Sequence, residues 1–222
     1  MSFPVIVALF LNLIVLQSVA SEPKKVLDVV RERLAKMDAV VMSEDFQFIQ
    51  HIEFVSVKGD RDDLVFKVTA RHGLFNRELI STTIPNDNRF RDVYKVFEKS
   101  FMMSEYFPSS DNLLTSCTIE KGIGEKDYRL KFGYGSPTEP SRELTSVYAI
   151  INSSTNLPEQ INEEMRGLPL DVELHNEIKV GYSPELKACY PKKIVMRFYS
   201  SILFLKGELA VFTIRNDEPR RL

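Results

Sequence analysis

Three histidines are the residues whose chemistry is easiest to test against the sequence: His51, His72 and His175. An imidazole acts as a general base or a metal ligand only when its partners stand at suitable spacing. None of the three belongs to a His-Glu-x-x-His segment or lies near a cysteine at metal-ligand spacing, and no Gly-x-Ser-x-Gly segment offers an activated serine. We therefore predict no catalytic residue, no metal site and no cofactor. A triad assembled from distant residues stays open as an alternative.

Two other groups of residues invite a chemical interpretation. Asp60, Asp62 and Asp63 would suit a cation or a carboxylate pair, but a calcium loop opened by Asp60 would need Glu at its twelfth position. A solvated turn explains them more simply. The glycine pairs at 122–124 and 133–135 do not complete a phosphate-binding loop. Both fit turns between strands.

The first twenty residues indicate a targeting segment rather than a part of the folded domain. Residues 1–20 contain no charged side chain, and an apolar run extends from Val5 to Leu16. Ser18 and Ala20 supply the small residues that precede a cleavage site before Ser21. We predict a signal peptide over 1–20, with an uncleaved anchor as the alternative, and no membrane span after the signal is removed.

Secretion determines how the cysteines and one asparagine are interpreted. Cys117 and Cys189 are the two cysteines of the chain, and in an oxidising compartment we predict that they form a disulfide. Two buried free thiols are the alternative. Asn152 begins an Asn-Ser-Ser sequon, so we predict glycosylation there. The expected location is extracellular.

Composition limits the class of partner. The 222 residues are 44% hydrophobic and 27% charged, which is typical of a globular protein, and the net charge is −2. This charge leaves no basic excess to hold nucleic acid or an anionic membrane. We expect no nucleic-acid partner.

An apolar stripe and an alternating pattern predict the first elements. Apolar residues recur every three or four positions in 24–41, which predicts a helix with one buried face: Val26, Val30, Leu34, Met37 and Val41. In 46–54 and 64–70 apolar and polar residues alternate, which predicts strands of a sheet covered on one side.

Short matches along the chain suggest an internal repeat. Residues 78–86 are identical to 208–216 at five of nine positions, and Met42-Ser43-Glu44 recurs as Met103-Ser104-Glu105. We therefore predict an α+β fold of three tandem helix–strand–strand–strand repeats, with an antiparallel sheet and helices packed on one face. The predicted boundaries are 21–88, 89–157 and 158–216, followed by a frayed tail over 217–222. The second and third repeats would open with helices over 89–102 and 158–166.

The run Asp62–Val68 with its partner hairpin resembles the secreted nuclear-transport-factor-2-like and cystatin-like proteins of animals. The resemblance implies architecture only, a helix followed by a curled antiparallel sheet. A cystatin inhibitor would also need a Gln-x-Val-x-Gly hairpin, and Gln50–Phe54 lacks its Val and its Gly.

The sequence thus favours a secreted, non-enzymatic binding protein whose sheet is presented to a protein partner or a small apolar ligand. A candidate contact patch is Ile202, Leu203, Phe204 and Leu205, with an additional core strand as the alternative. A secreted hydrolase with an unrecognised site and a cystatin-type inhibitor are the other functions to be weighed.

Overall fold

The computed structural model describes residues 3–83, 101–121, 127–135, 138, 144–168, 172–202 and 205–222. The chain begins with one long helix, α1 (Phe3–Ser43), followed by β1 (Phe46–Ser56), β2 (Arg61–Arg71) and β3 (Leu74–Thr82). Two short 3₁₀ helices come next, η1 (Met103–Tyr106) and η2 (Asp111–Leu113). The remaining strands are β4 (Leu114–Lys121), β5 (Asp127–Tyr134), β6 (Thr145–Asn152), β7 (Leu157–Leu168), β8 (Val172–Ser183), β9 (Ala188–Ile202), β10 (Leu205–Asn216) and β11 (Arg220–Arg221).

The described strands form one antiparallel sheet. Its order is β3-β2-β1-β10-β9-β8-β7-β6-β5-β4, and the two-residue β11 pairs with the start of β1. The strands from β4 to β10 therefore follow one another as a meander, and β10 then pairs with β1. Although β3 and β4 are consecutive in the chain, they lie at opposite edges of the sheet.

A single row of side chains shows why this register is favoured. Cross-strand partners connect ten strands through Ile119, Leu130, Ala149, Ile161, Ile178, Ile194, Ile214, Ile52, Leu64 and Thr82. The eight members from Leu130 to Leu64 are buried. Because side chains alternate between the two faces of a strand, a one-residue slip would carry these groups into water. We call the face that bears this row the inner face and the opposite one the outer face.

The helix covers the inner face. Leu27, Val30, Leu34 and Val41 of α1 are buried, and α1 contacts β4, β7 and β9. The predicted stripe is confirmed at Val30, Leu34 and Val41, while Leu27 rather than Val26 is buried at its N-terminal end. A helix laid on an antiparallel sheet is the arrangement that the sequence predicts.

Part of the connection between β3 and β4 completes the core. Phe101 stacks on Phe48 with ring centroids 4.9 Å apart, and Phe107 stacks on Phe132 at 5.4 Å. Phe48 lies on β1 and Phe132 on β5, so residues 101–107 cross the inner face beside α1. Their aromatic rings bury apolar surface that the helix leaves uncovered.

The prediction of three helix–strand repeats is wrong. The described residues form one large sheet with a single long helix, and 158–166, predicted as a helix, belongs to β7. Ile161 and Met165 stand four residues apart, which suits one turn of a helix and equally suits alternate positions of a strand. The helix predicted over 89–102 lies mostly outside the described residues.

The last residues of the chain pair with the sheet. Residues 220 and 221 pair with β1, and the backbone N–H of Leu222 donates to the Asp45 carbonyl at 3.1 Å, so the prediction of a frayed tail is wrong. Ala20 and Ser21 lie within α1, and the signal peptide over 1–20 stays a prediction. Among the described residues, no helix is both long enough and apolar enough to cross a membrane.

Candidate functional site

The structure does not bring the histidines together. His51 lies on β1 and is exposed, and His72 occupies the turn between β2 and β3 with its backbone N–H donated to Asp45. His175 lies on β8 and lines a polar cleft of about 580 Å³ on the outer face, together with Lys131 and Arg197. The three histidines therefore do not share one site.

The two cysteines are free thiols, so the structure does not support the predicted disulfide. Cys117 lies on β4 and Cys189 on β9, and four strands separate β4 from β9 in the sheet. Burial raises the pKa of the Cys117 thiol and raises that of the Cys189 thiol to about 11. Both groups are therefore protonated and weakly nucleophilic in the folded protein.

Asn152 ends β6 and organises the turn to β7. Its side-chain oxygen accepts the backbone N–H groups of Ser154 and Thr155, each at 3.1 Å, and its amide group donates to Glu159 at 2.9 Å. A glycan on this amide would replace one of its two N–H groups, one of which donates to Glu159. Glycosylation at Asn152 stays a prediction.

The predicted contact patch falls on the hairpin between β9 and β10. Ile202 ends β9 and Leu205 begins β10, whereas Leu203 and Phe204 lie outside the described residues. The side chains of all four are outside the described part of the chain, so the patch stays a prediction.

A cavity of about 750 Å³ lies between α1, η1 and the ends of β5, β6 and β7. We call it the α1 pocket. Its apolar lining is Ala35, Phe107, Pro108, Leu113, Leu144, Met165 and Leu168, and its polar lining includes Arg31, Ser104, Glu105, Tyr134, Thr145 and Arg166. Helix, crossing segment and strand ends therefore all contribute to its wall.

Arg31 has an unusual environment at this pocket. Its Nη1 donates to Asp28 at 3.0 Å and to Asp111 at 2.7 Å, and the guanidinium beside Asp111 holds the pKa of that carboxyl below its ordinary value. Its Nε and Nη2 are buried and have no hydrogen-bond partner among the described residues. Because buried guanidinium nitrogens are costly to leave unpaired, an anion bound at this edge would stabilise Arg31.

A buried carboxylate lies on the inner face next to the pocket. Glu163 on β7 accepts the Tyr134 hydroxyl at 3.2 Å and the Asn176 amide at 2.8 Å. Burial is the main cause that raises the pKa of Glu163, and burial and the neighbouring Glu163 raise that of Tyr134 far above its ordinary value. The network fixes the orientation of Tyr134, which lines the α1 pocket.

Sequence reasoning did not single out Arg31. A signal was nevertheless present, since Arg31 follows Leu27 by four residues and precedes Leu34 by three. This spacing places it at the border of the buried stripe. What the sequence could not supply is Asp111, which lies 80 residues away and occupies only one edge of the guanidinium.

No protein-family model matches the sequence, and no curated protein matches it. Among solved structures, the chain is distantly similar to a LolA superfamily protein from Nitrosomonas europaea, with 8% identity, TM-score 0.39 and coverage of 90% of this chain and 93% of that one. It is also similar to a domain described as an outer membrane lipoprotein-sorting protein from Vibrio parahaemolyticus, with 7% identity, TM-score 0.43 and coverage of 88% and 93%. A DUF1329 family protein from Desulfovibrio piger matches with 12% identity, TM-score 0.41 and coverage of 88% and 92%. The resemblance to nuclear-transport-factor-2-like and cystatin-like proteins is wrong, because the described residues form one antiparallel sheet of eleven strands with a single long helix.

Proposed function

We propose that this protein binds a small amphipathic molecule with a carboxylate head group in the α1 pocket and does not transform it chemically. The observation that carries the proposal is the edge of Arg31 formed by Nε and Nη2, which is buried without a hydrogen-bond partner among the described residues. These two groups form a fork that matches the two oxygens of a carboxylate.

The size and lining of the pocket support an apolar tail. A volume of about 750 Å³ falls within the range of small-molecule sites. Phe107, Leu113, Met165 and Leu168 offer apolar surface to a hydrocarbon chain. Each methylene group moved from water to such surface contributes about 0.8 kcal/mol. An acyl chain therefore supplies affinity, and Arg31 supplies the preference for an anionic head.

Two observations support binding rather than chemistry. The residues that line the α1 pocket include none of the three histidines, so no imidazole base faces a ligand there. The Arg31 guanidinium forms ion pairs with Asp28 and Asp111. These ion pairs position the guanidinium and supply no nucleophile. The signal-like sequence over 1–20 supports an extracellular location for this binding protein.

A competition titration tests the proposal. Purified protein is loaded with an environment-sensitive fluorescent fatty acid, which is then displaced with palmitate or with the matching fatty alcohol. Charge-assisted hydrogen bonds contribute about 1.5–3 kcal/mol, so we expect palmitate to bind roughly 10- to 150-fold more tightly than the alcohol. Arg31→Gln is expected to lose this preference and to retain binding of the alcohol.

Two further variants test whether the preference for palmitate depends on the two-nitrogen fork of Arg31, on its positive charge alone, or on other cations of α1. Arg31→Lys keeps a cation but loses the fork, so it is expected to recover only part of the preference. Lys36→Gln removes an exposed cation of the same helix that pairs with Glu32, and is expected to bind as the wild type does. The proposal fails if the wild type binds neither ligand, or if Arg31→Gln keeps the full preference for palmitate.

A further inference from the structure

We propose that Glu164, Glu173 and His175 form a binding site for a divalent transition-metal cation, with Zn²⁺ as its best-matched ion. The site lies on the outer face of the sheet, and Arg166 is the residue that both lines the α1 pocket and contacts Glu164 of this site. Its ligands come from two strands and follow no spacing typical of a metal site, so the motifs of the sequence did not indicate it.

The pairing of β7 with β8 brings the three side chains together. Glu164 is the cross-strand partner of His175, and Glu173 precedes His175 by two residues, so that all three project from the same face. The His175 Nε2 atom lies 3.6 Å from a Glu164 oxygen and 3.5 Å from a Glu173 oxygen. The three candidate ligand atoms all lie within 4.8 Å of one another.

These distances suit a shared ion better than hydrogen bonds. A hydrogen bond from imidazole to carboxylate would normally measure about 2.7–3.2 Å, so both separations are too long. His175 Nε2 is also a buried atom without a hydrogen-bond partner among the described residues. In a tetrahedral zinc site with bonds of about 2.0–2.1 Å, neighbouring ligand atoms are about 3.3 Å apart. The two distances from His175 therefore need only a small contraction, and the two carboxylate oxygens, which lie within 4.8 Å of each other, would move closer together around the ion.

The kinds of ligand narrow the choice of metal. An imidazole with two carboxylates favours a first-row transition ion over Mg²⁺ or Ca²⁺, which prefer an all-oxygen set. Glu164 and His175 also line the outer-face cleft of about 580 Å³. The cleft gives the ion an entry path and leaves room for water at the remaining coordination position.

Arg166 competes with a cation for the same carboxylate. Its Nη2 and Nε donate to the Glu164 oxygen that faces His175, at 2.8 and 3.2 Å. The guanidinium thus offsets part of the negative charge that would attract a cation. Removing the Arg166 guanidinium should therefore tighten metal binding. If Glu164, Glu173 and His175 had only a structural role, this change would have no effect on a metal ion.

Calorimetric titration of the chelator-treated protein with Zn²⁺ tests the site. We expect one ion per chain for the wild type, with weak or absent binding of Mg²⁺ and Ca²⁺. Loss of a ligand in His175→Gln or Glu173→Gln is expected to weaken Zn²⁺ binding by about tenfold or more. Arg166→Gln is expected to strengthen it several-fold.

Matched control variants distinguish binding at this site from non-specific binding of Zn²⁺ by surface groups. Glu177→Gln changes a carboxylate of the same strand that lines the same cleft, and His51→Gln changes an exposed histidine on β1. Both are expected to bind Zn²⁺ as the wild type does, and unfolding curves of the metal-free variants confirm that each is folded. The inference is overturned if the wild type binds no Zn²⁺, if folded His175→Gln binds it unchanged, or if His51→Gln weakens binding as much as His175→Gln.

Discussion

The carboxylate of Asp38 on α1 accepts the backbone N–H of Ser104 at 2.8 Å, and its other oxygen accepts the N–H of Met103 at 3.2 Å. Asp38 is only 7% exposed. The pair of bonds holds η1 against the helix and supplies partners for N–H groups at the start of a short helix. Since Ser104 and Glu105 line the α1 pocket, Asp38 positions one wall of that pocket.

We expect Asp38→Ala to lower the free energy of unfolding by about 2–3 kcal/mol, because two backbone donors lose a charged acceptor. The same variant should weaken palmitate binding through the displaced η1. Urea denaturation measures the first effect and fluorescence competition the second. Glu32→Ala removes an exposed carboxylate of the same helix that pairs with Lys36, and should change stability by less than about 0.5 kcal/mol. Equal losses in the two variants would contradict the role given to Asp38.

Because Glu163 is buried, we expect the free energy of unfolding to depend on pH. Burial raises the pKa of Glu163 in the folded protein above its ordinary value. Between the unfolded and the folded pKa the native state therefore holds more protons, and the stability that protonation contributes is lost as pH rises through the folded pKa. The Asn176 side-chain oxygen is buried without a hydrogen-bond partner among the described residues. It can accept from a protonated Glu163 once the amide is rotated.

Glu163→Gln should remove this loss, because it keeps the shape of the side chain and carries no charge. We expect the variant to be more stable than the wild type above the folded pKa of Glu163, and to match it more closely at acidic pH. Urea denaturation from about pH 4.5 to pH 8 measures how the free energy of unfolding of each protein changes with pH. Parallel curves for the wild type and the variant would show that another group governs this range.

The free thiols give a prediction on reactivity. Burial raises the pKa of Cys189 to about 11 and also raises that of Cys117, so neither thiolate is abundant at about pH 8. We expect slow reaction of the folded protein with a disulfide reagent, and rapid release of two equivalents after denaturation in urea. No release in urea would establish the disulfide that the sequence favoured. Rapid reaction of both thiols before denaturation would contradict the burial of Cys189.

The main elements of the fold could be predicted where one period dominates the sequence. The buried stripe at Val30, Leu34 and Val41 fixed the position of α1 on the sheet, and the alternation in 46–54 and 64–70 predicted β1 and β2. The error came at Ile161 and Met165, whose spacing fits either a helix or a strand. Their strand assignment depends on pairing with neighbours such as Ala149 and Ile178, which local pattern cannot show.

The candidate sites depend on partners that are distant in sequence, and this explains why they were missed. Arg31 is fixed by Asp111, 80 residues away, and its unpaired edge is visible only once that contact is known. Glu164 and His175 meet because β7 and β8 pair in one register. A shift by one residue would place them on opposite faces, so composition and motif spacing carry no trace of the cluster.

Gly73 and Gly59 provide a matched test of local packing beside α1. Both have positive φ, +76° and +82°, so a side chain at either position is strained. A Cβ atom at Gly59 would meet nothing within 4 Å, whereas one at Gly73 would clash with the terminal methyl of Met42, the next-to-last residue of α1. The two alanine variants therefore share the backbone cost and differ in the contact with the helix.

We expect Gly59→Ala to lower the free energy of unfolding by about 1 kcal/mol, the usual cost of a left-handed position for a residue other than glycine. Gly73→Ala should cost more, by an amount that depends on how far the flexible Met42 side chain can move. When Gly73→Ala is introduced into the Met42→Ala protein, the clash is absent. The free energy of unfolding should then fall by an amount closer to that caused by Gly59→Ala. Urea denaturation of these variants measures the difference. If Gly73→Ala costs no more than Gly59→Ala, Met42 does not confine the turn between β2 and β3, and the end of α1 is free to move away from it.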